Sequence, residues 1–97
     1  MLFVELDGTL YFFVRCKNSS GTPTAPTGSA TYSIYLGDAS ATTTDGTGTM
    51  TTFSTTRARA SHSIAAANYT RGKTYTIDID YTVGGVARSE QLYFTVT

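Results

Sequence analysis

The sequence predicts one all-β domain, an immunoglobulin-like antiparallel β-sandwich of seven or eight short strands spanning residues 1–97. Three observations carry this. Seven Tyr, five Phe and abundant Thr suit a half-buried pleated surface, while the helix builders Leu and Glu are scarce. Apolar and polar residues alternate in run after run, so each strand buries one face and wets the other. Turn signals recur at roughly ten-residue spacing, the rhythm of a two-sheet sandwich; a small barrel is the alternative. A chain of this length buries about two-thirds of its unfolded surface, enough for one modest core without staples. No internal repeat or domain boundary is visible.

Leu2, Val4 and Leu6 alternate with Phe3 and Glu5, and Asp7-Gly8 supplies a two-residue turn. The next run places Phe12, Val14 and Cys16 on one side and Phe13, Arg15 and Lys17 on the other. The spacing predicts that these two strands form a hairpin; one long strand bent at Gly8 is the other reading. Residues 18–29 form a loop, in which Pro23 and Pro26 remove backbone donors and Gly21 and Gly28 allow irregular dihedrals. A strand follows at Thr31–Leu36 with Tyr32, Ile34 and Leu36 inward. Residues 37–48 are polar and turn-rich and read as a loop that need not pack.

Thr47–Phe53 and Arg57–Ile64 read as two further short strands. In the second, Ala58, Ala60, His62 and Ile64 share one face, and Arg57, Arg59 and Ser61 the other. "AAANYTRGK" has a helical flavour for one turn, stopped at Gly72. In the closing run Tyr75, Ile77, Ile79, Tyr81 and Val83 point one way, and Thr76, Asp78, Asp80 and Thr82 the other. Gly84-Gly85 suits the positive φ angles of a primed hairpin turn. The return strand brings Leu92, Phe94 and Val96 inward.

Formal net charge is zero and 14% of residues are charged. Without clustered Lys and Arg in the sequence, a nucleic-acid backbone is not an expected partner. The opening "MLFVELDGTL" has no basic n-region, its apolar stretch is broken at Glu5 and Asp7, and no run is long enough to span a bilayer. With a single cysteine, Cys16, the reading is synthesis in a reducing cytoplasm and no membrane partner.

Catalysis requires a base near neutral pH, an activated nucleophile or a metal. The candidates are one His and one Cys. His62 lies inward on an Ala-rich strand, where a packed, hydrogen-bonded histidine is the plainer reading. Cys16, in line with Phe12 and Val14, reads as a small buried hydrophobe. Asp78 and Asp80 stand about 7 Å apart on one face, a spacing open to a cation or a glycosidic bond. Their Thr neighbours point to a solvated face instead, with Arg57, Arg59, Arg71 and Arg88 as available ion-pair partners. Asn18 and Asn68 match the N-glycosylation pattern, which Ser/Thr abundance explains by chance. Gly46 and Gly48 lack the strand–helix context of a phosphate loop. No catalytic residue, cofactor or metal is expected. What remains is surface: Phe13, Tyr35 and Tyr93 fall opposite their strands' core faces, either as scattered exposed aromatics or as part of a protein contact.

The order "GSATYSIYLGD", "GTGTMTTF" and "SIAAANYTRGKTYTIDIDYTVGGVARSEQLYFTVT" resembles small immunoglobulin-like domains of tailed-bacteriophage virions. The matching elements are Tyr32 to Tyr35, Gly48 to Met50, Ala66 to Ile77, Tyr81 to Val86 and Phe94 to Val96, over about residues 28–97. The proline that the pattern places before the Tyr32 strand is displaced here to Pro26. The resemblance implies a non-enzymatic virion component at the capsid surface, a decoration or cement protein. Its partners would be the major capsid protein and neighbouring virion proteins, with a homo-oligomer such as a trimer. A tail- or fibre-associated module that binds host-surface carbohydrate or protein is the alternative. Partner contact is expected from an N-terminal arm free to add a strand to a neighbour (Leu2, Phe3 and Glu5). The two loops are also expected to contribute, through Thr24 and Pro26 in the first and Asp38 and Thr43 in the second.

Overall fold

The computed structural model describes residues 1–37 and 42–97. Its strands are β1 (Leu2–Val4), β2 (Thr9–Arg15), β3 (Thr31–Leu36), β4 (Thr42–Thr49), β5 (Thr51–Ser54), β6 (Arg57–Ser63), β7 (Thr74–Val83) and β8 (Val86–Val96). They form a five-stranded sheet in the order β1-β8-β7-β3-β4 and a three-stranded sheet in the order β2-β6-β5. All pairs are antiparallel except β1 with β8. This is a two-sheet β-sandwich: the hairpins β3–β4, β5–β6 and β7–β8 each stay within one sheet, and the chain crosses between sheets at β1–β2, β2–β3, β4–β5 and β6–β7.

The inward residues expected from alternation meet between the sheets. Leu10, Phe12 and Val14 of β2 face Tyr32 and Ile34 of β3, the five apolar positions of β7, and Phe94 and Val96 of β8; all are buried. Tyr75 stacks on Phe94 with ring centroids 5.3 Å apart, and Tyr69 packs edge-on against Tyr75. The Tyr75 hydroxyl accepts from the Thr70 backbone N–H at 2.9 Å, the tyrosine corner that ties the start of β7 to the loop before it. Gly84 and Gly85 both take positive φ, so the β7–β8 turn is the primed type expected.

Four local expectations are corrected. The first two strands do not form a hairpin: β1 lies on β8 and β2 on β6, in opposite sheets. Asp7, at φ 66°, turns the chain across the sandwich. Its N–H bonds the Ile64 carbonyl, and the Ile64 N–H bonds the Gly8 carbonyl, so the turn is sewn to the end of β6. Thr47–Phe53 is not one strand. It divides at buried Met50, whose N–H bonds the Ala30 carbonyl while the chain passes from one sheet to the other. The stretch read as a loop over residues 37–48 contains most of β4. Leu36 is 44% exposed because it ends β3 at the rim. The single turn expected in "AAANYTRGK" does form: Asn68 and Tyr69 both donate to the Ala65 carbonyl, and Gly72 at φ 82° ends it. That turn drops Tyr69 into the core.

Candidate interaction surface

The outer face of β2-β6-β5 is the least typical surface on the molecule. Alternation along β2 leaves Tyr11 74% and Phe13 60% exposed. The register with β6 sets Tyr11 beside Ser61, Phe13 beside Arg59 and Arg15 beside Arg57. Phe53 of β5 completes the patch, edge-on to Phe13 at 6.4 Å, with the Arg59 guanidinium 5.2 Å above its ring. Strands β2, β5 and β6 contain three arginines and no carboxylate. The opposed Arg15 and Arg57 repel, a small cost in a sheet. A chain of zero net charge thus segregates its charge, since the outer side of β7 carries Asp78 and Asp80.

The opposite face is a Thr- and Ser-rich lattice. Tyr35 and Tyr93 lie on either side of Thr76 in register and roof it, so Thr76 is buried although it points outward. Its hydroxyl donates to the Gly37 carbonyl at 2.9 Å. Gln91 links the two rings: its amide donates to Tyr35 Oη, and Tyr93 Oη donates to Gln91 Oε1. Asp78 is in the next row, opposite Ser33 and Gln91. Partial desolvation first, and then the neighbouring Asp78 charge, push the Asp80 carboxyl above its ordinary value. Among the described residues no group of three or more His, Cys, Asp or Glu converges as a metal site would require.

His62 is a structural bridge. Its Nδ1 is 2.9 Å from Tyr32 Oη and its Nε2 3.0 Å from Tyr69 Oη, and Tyr69 Oη is 3.2 Å from Thr43 Oγ1. The chain of bonds joins β6 to β3 and β4 across the sandwich. Cys16 is fully buried, and burial, with Glu90 as the smaller cause, raises its thiol above the ordinary value.

The residues expected to touch a partner are not brought together. Leu2 and Phe3 sit on the β1 edge of the larger sheet, but the arm is occupied: Leu2–Val4 pairs with Phe94–Val96 of the same chain. The arm is therefore the edge strand of the larger sheet, paired on one side with β8. Leu2 lines an open groove of about 400 Å³ between β1, β2 and β8. Glu5 is exposed and its carbonyl accepts from Gly8. Thr24 is half-buried, its N–H bonded to the Cys16 carbonyl, and Pro26 is also half-buried. Thr43 lies on β4 at the opposite edge from β1 and is engaged with Tyr69. Asp38 lies outside the described residues. Sequence reasoning does not single out Tyr11, Phe53 and Arg59 as a cluster. Alternation shows which way each points, but only the strand order places the three side by side.

Compared with family models, with curated proteins and with solved structures, the chain matches none.

Proposed function

We propose that the chain is a non-enzymatic docking module of a phage virion, a decoration or cement protein seated on the outside of the assembled capsid. The observation that carries the docking role is the Tyr11–Phe13–Phe53–Arg59 face, exposed, aromatic and carboxylate-free. Arg and large aromatics dominate the energetic centres of protein interfaces. Three arginines with no acid on their own sheet fit an acidic protein surface. The virion setting, with the major capsid protein and its neighbours as partners, rests on the resemblance of residues 28–97. Many copies on one shell make individually weak contacts collectively strong.

The test is co-sedimentation with shells lacking the protein. Wild type should pellet with them, and Phe13→Ser with Arg59→Ser should reduce binding at least about tenfold. Both side chains are on the outer face, so the fold should survive. Wild type that stays in the supernatant, or a double variant that binds unchanged, overturns the reading.

A second reading is favoured by one observation, the hydrogen-bonded Tyr35–Gln91–Tyr93 row beside Asp78. Such a row would suit a sugar on a fibre-associated module. A glycan array with wild type and Tyr93→Ala separates the two, because the shell-docking reading expects no signal there.

A further inference from the structure

β8 has an open edge. On one side it pairs with β7 along its whole length, and on the other with β1 only at Phe94–Val96. Among the described residues no strand covers Val86–Tyr93 on that side. The direction of its backbone groups follows from two bonds. Val96 donates to the Lys73 carbonyl, next to β7, and Thr97 donates to the Val4 carbonyl of β1. N–H and C=O groups alternate along a strand. Even-numbered residues of β8 therefore face β7, and the backbone groups of Ala87, Ser89 and Gln91 point out of the open edge.

We infer that this edge pairs with the same edge of a second copy, antiparallel about a twofold axis at Ser89, joining the two larger sheets into one. The register follows from charge. With Ser89 opposite Ser89 and Ala87 opposite Gln91, Arg88 of each copy lies directly opposite Glu90 of the other. Arg88 and Glu90 then occupy non-hydrogen-bonded positions, where cross-strand side chains come closest. Sliding by two residues in either direction sets Arg88 against Arg88 or Glu90 against Glu90. Charges on an edge strand ordinarily block pairing. Two opposite charges two residues apart block these neighbouring registers and leave this one.

An apolar contact agrees with the same register. Val86, 51% exposed at the start of β8, comes opposite Leu92 of the other copy. Leu92 lines the groove between β1, β2 and β8 with Met1, Leu2 and Phe12. Beyond Tyr93 the edge is already taken by β1, which ends the new pairing where the other copy's hairpin turn begins. The contact is isologous, so each side supplies the same residues. It differs from the trimer that the resemblance implies, and it does not depend on shell docking.

The test is the mass of the isolated chain by sedimentation velocity, from micromolar to about 1 mM. A species of twice the 10.4 kDa chain mass is expected to grow with concentration. Glu90→Arg sets Arg against Arg at two symmetry-related places, and should weaken the association at least about tenfold. Arg88→Glu combined with Glu90→Arg restores opposite charges and should return the dimer to within about threefold of wild type. A wild-type chain that stays monomeric throughout, a trimer, or a double variant no better than Glu90→Arg overturns the inference.

Discussion

Replacing Gly48 with alanine probes the packing that holds the two sheets in register. Gly48 lies opposite Tyr32 in the β3–β4 pair, and the Tyr32 ring takes the space that a side chain would fill. A Cβ on Gly48 would lie 2.5 Å from both Cζ and Oη of Tyr32. Relaxed carbon contacts lie near ~3.5–4.0 Å, so the ring must retreat by about 1 Å. It has little room to do so. Phe12 packs edge-on against it with centroids 5.0 Å apart, and its hydroxyl is bonded to His62. Overpacking of this kind costs ~1–3 kcal/mol. Alanine's lower chain entropy returns ~0.5–1 kcal/mol; with a contact this short the overpacking cost lies in the upper half of its range, leaving a net loss of about 1–2 kcal/mol. For a domain of this size that is a fall in Tm of roughly 5–15 °C. Thermal and urea melts followed by circular dichroism would measure it. Tyr32→Leu removes the obstructing ring atoms, so Gly48→Ala in that background should cost about 1 kcal/mol less. A Gly48→Ala protein as stable as wild type, or strictly additive costs in the two backgrounds, would refute the reasoning.

Three further outcomes follow from the same structure. Asp80→Asn should stabilise the fold near neutral pH. The native carboxyl is raised above its ordinary value, so its ionisation opposes folding, a penalty that grows as pH rises through the ordinary and then the raised value. The advantage of the Asp80→Asn variant over wild type should vanish in acid, and a Tm difference independent of pH would exclude this cause. Cys16 should react with a thiol reagent in native buffer at least about a thousandfold more slowly than in denaturant, because it is reached only through opening of the fold; fast native labelling would contradict its burial. His62→Ala should lower stability by about 2 kcal/mol through loss of its bonds to Tyr32 and Tyr69, while leaving shell binding per folded molecule unchanged. Lost binding at unchanged stability would give His62 a different role.

How much of this is legible in the sequence depends on whether the information is local. Alternation within a run is local, and it places the inward residues of the β7–β8 hairpin and the turn at Gly84-Gly85 correctly. Pairing between distant segments is not local. The β1–β8 contact joins residues more than ninety positions apart, and nothing in "LFVEL" distinguishes a partner in the next run from one at the far terminus. Asp7-Gly8 reads as a hairpin turn because its dihedral preferences are those of one. The bonds to Ile64 that make it a crossover belong to another segment. Met50 shows the same limit: an apolar residue between Thr runs fits a continuous strand as well as a passage between sheets.

The candidate surfaces divide along the same line. Phe13 is visible as exposed because β2 alternates strictly, whereas Arg59 gains its meaning only when strand order sets it between Phe13 and Phe53. The contact residues expected in loops rest on the general freedom of polar, glycine-rich segments. In this fold Thr43 is on a strand and hydrogen-bonded, and Leu2, expected on the N-terminal arm and not in a loop, pairs with β8. The sandwich takes part of a polar-looking segment into β4 and exposes the outer row of the apolar strand β2. A strand that buries Leu10, Phe12 and Val14 needs no aromatic on its outer face for stability. Tyr11 and Phe13 there expose apolar area that folding leaves uncovered. An arginine parked over one ring shields only part of it. The uncovered remainder is an exposed aromatic patch with the make-up of an association surface, which is why the proposed docking role is placed there.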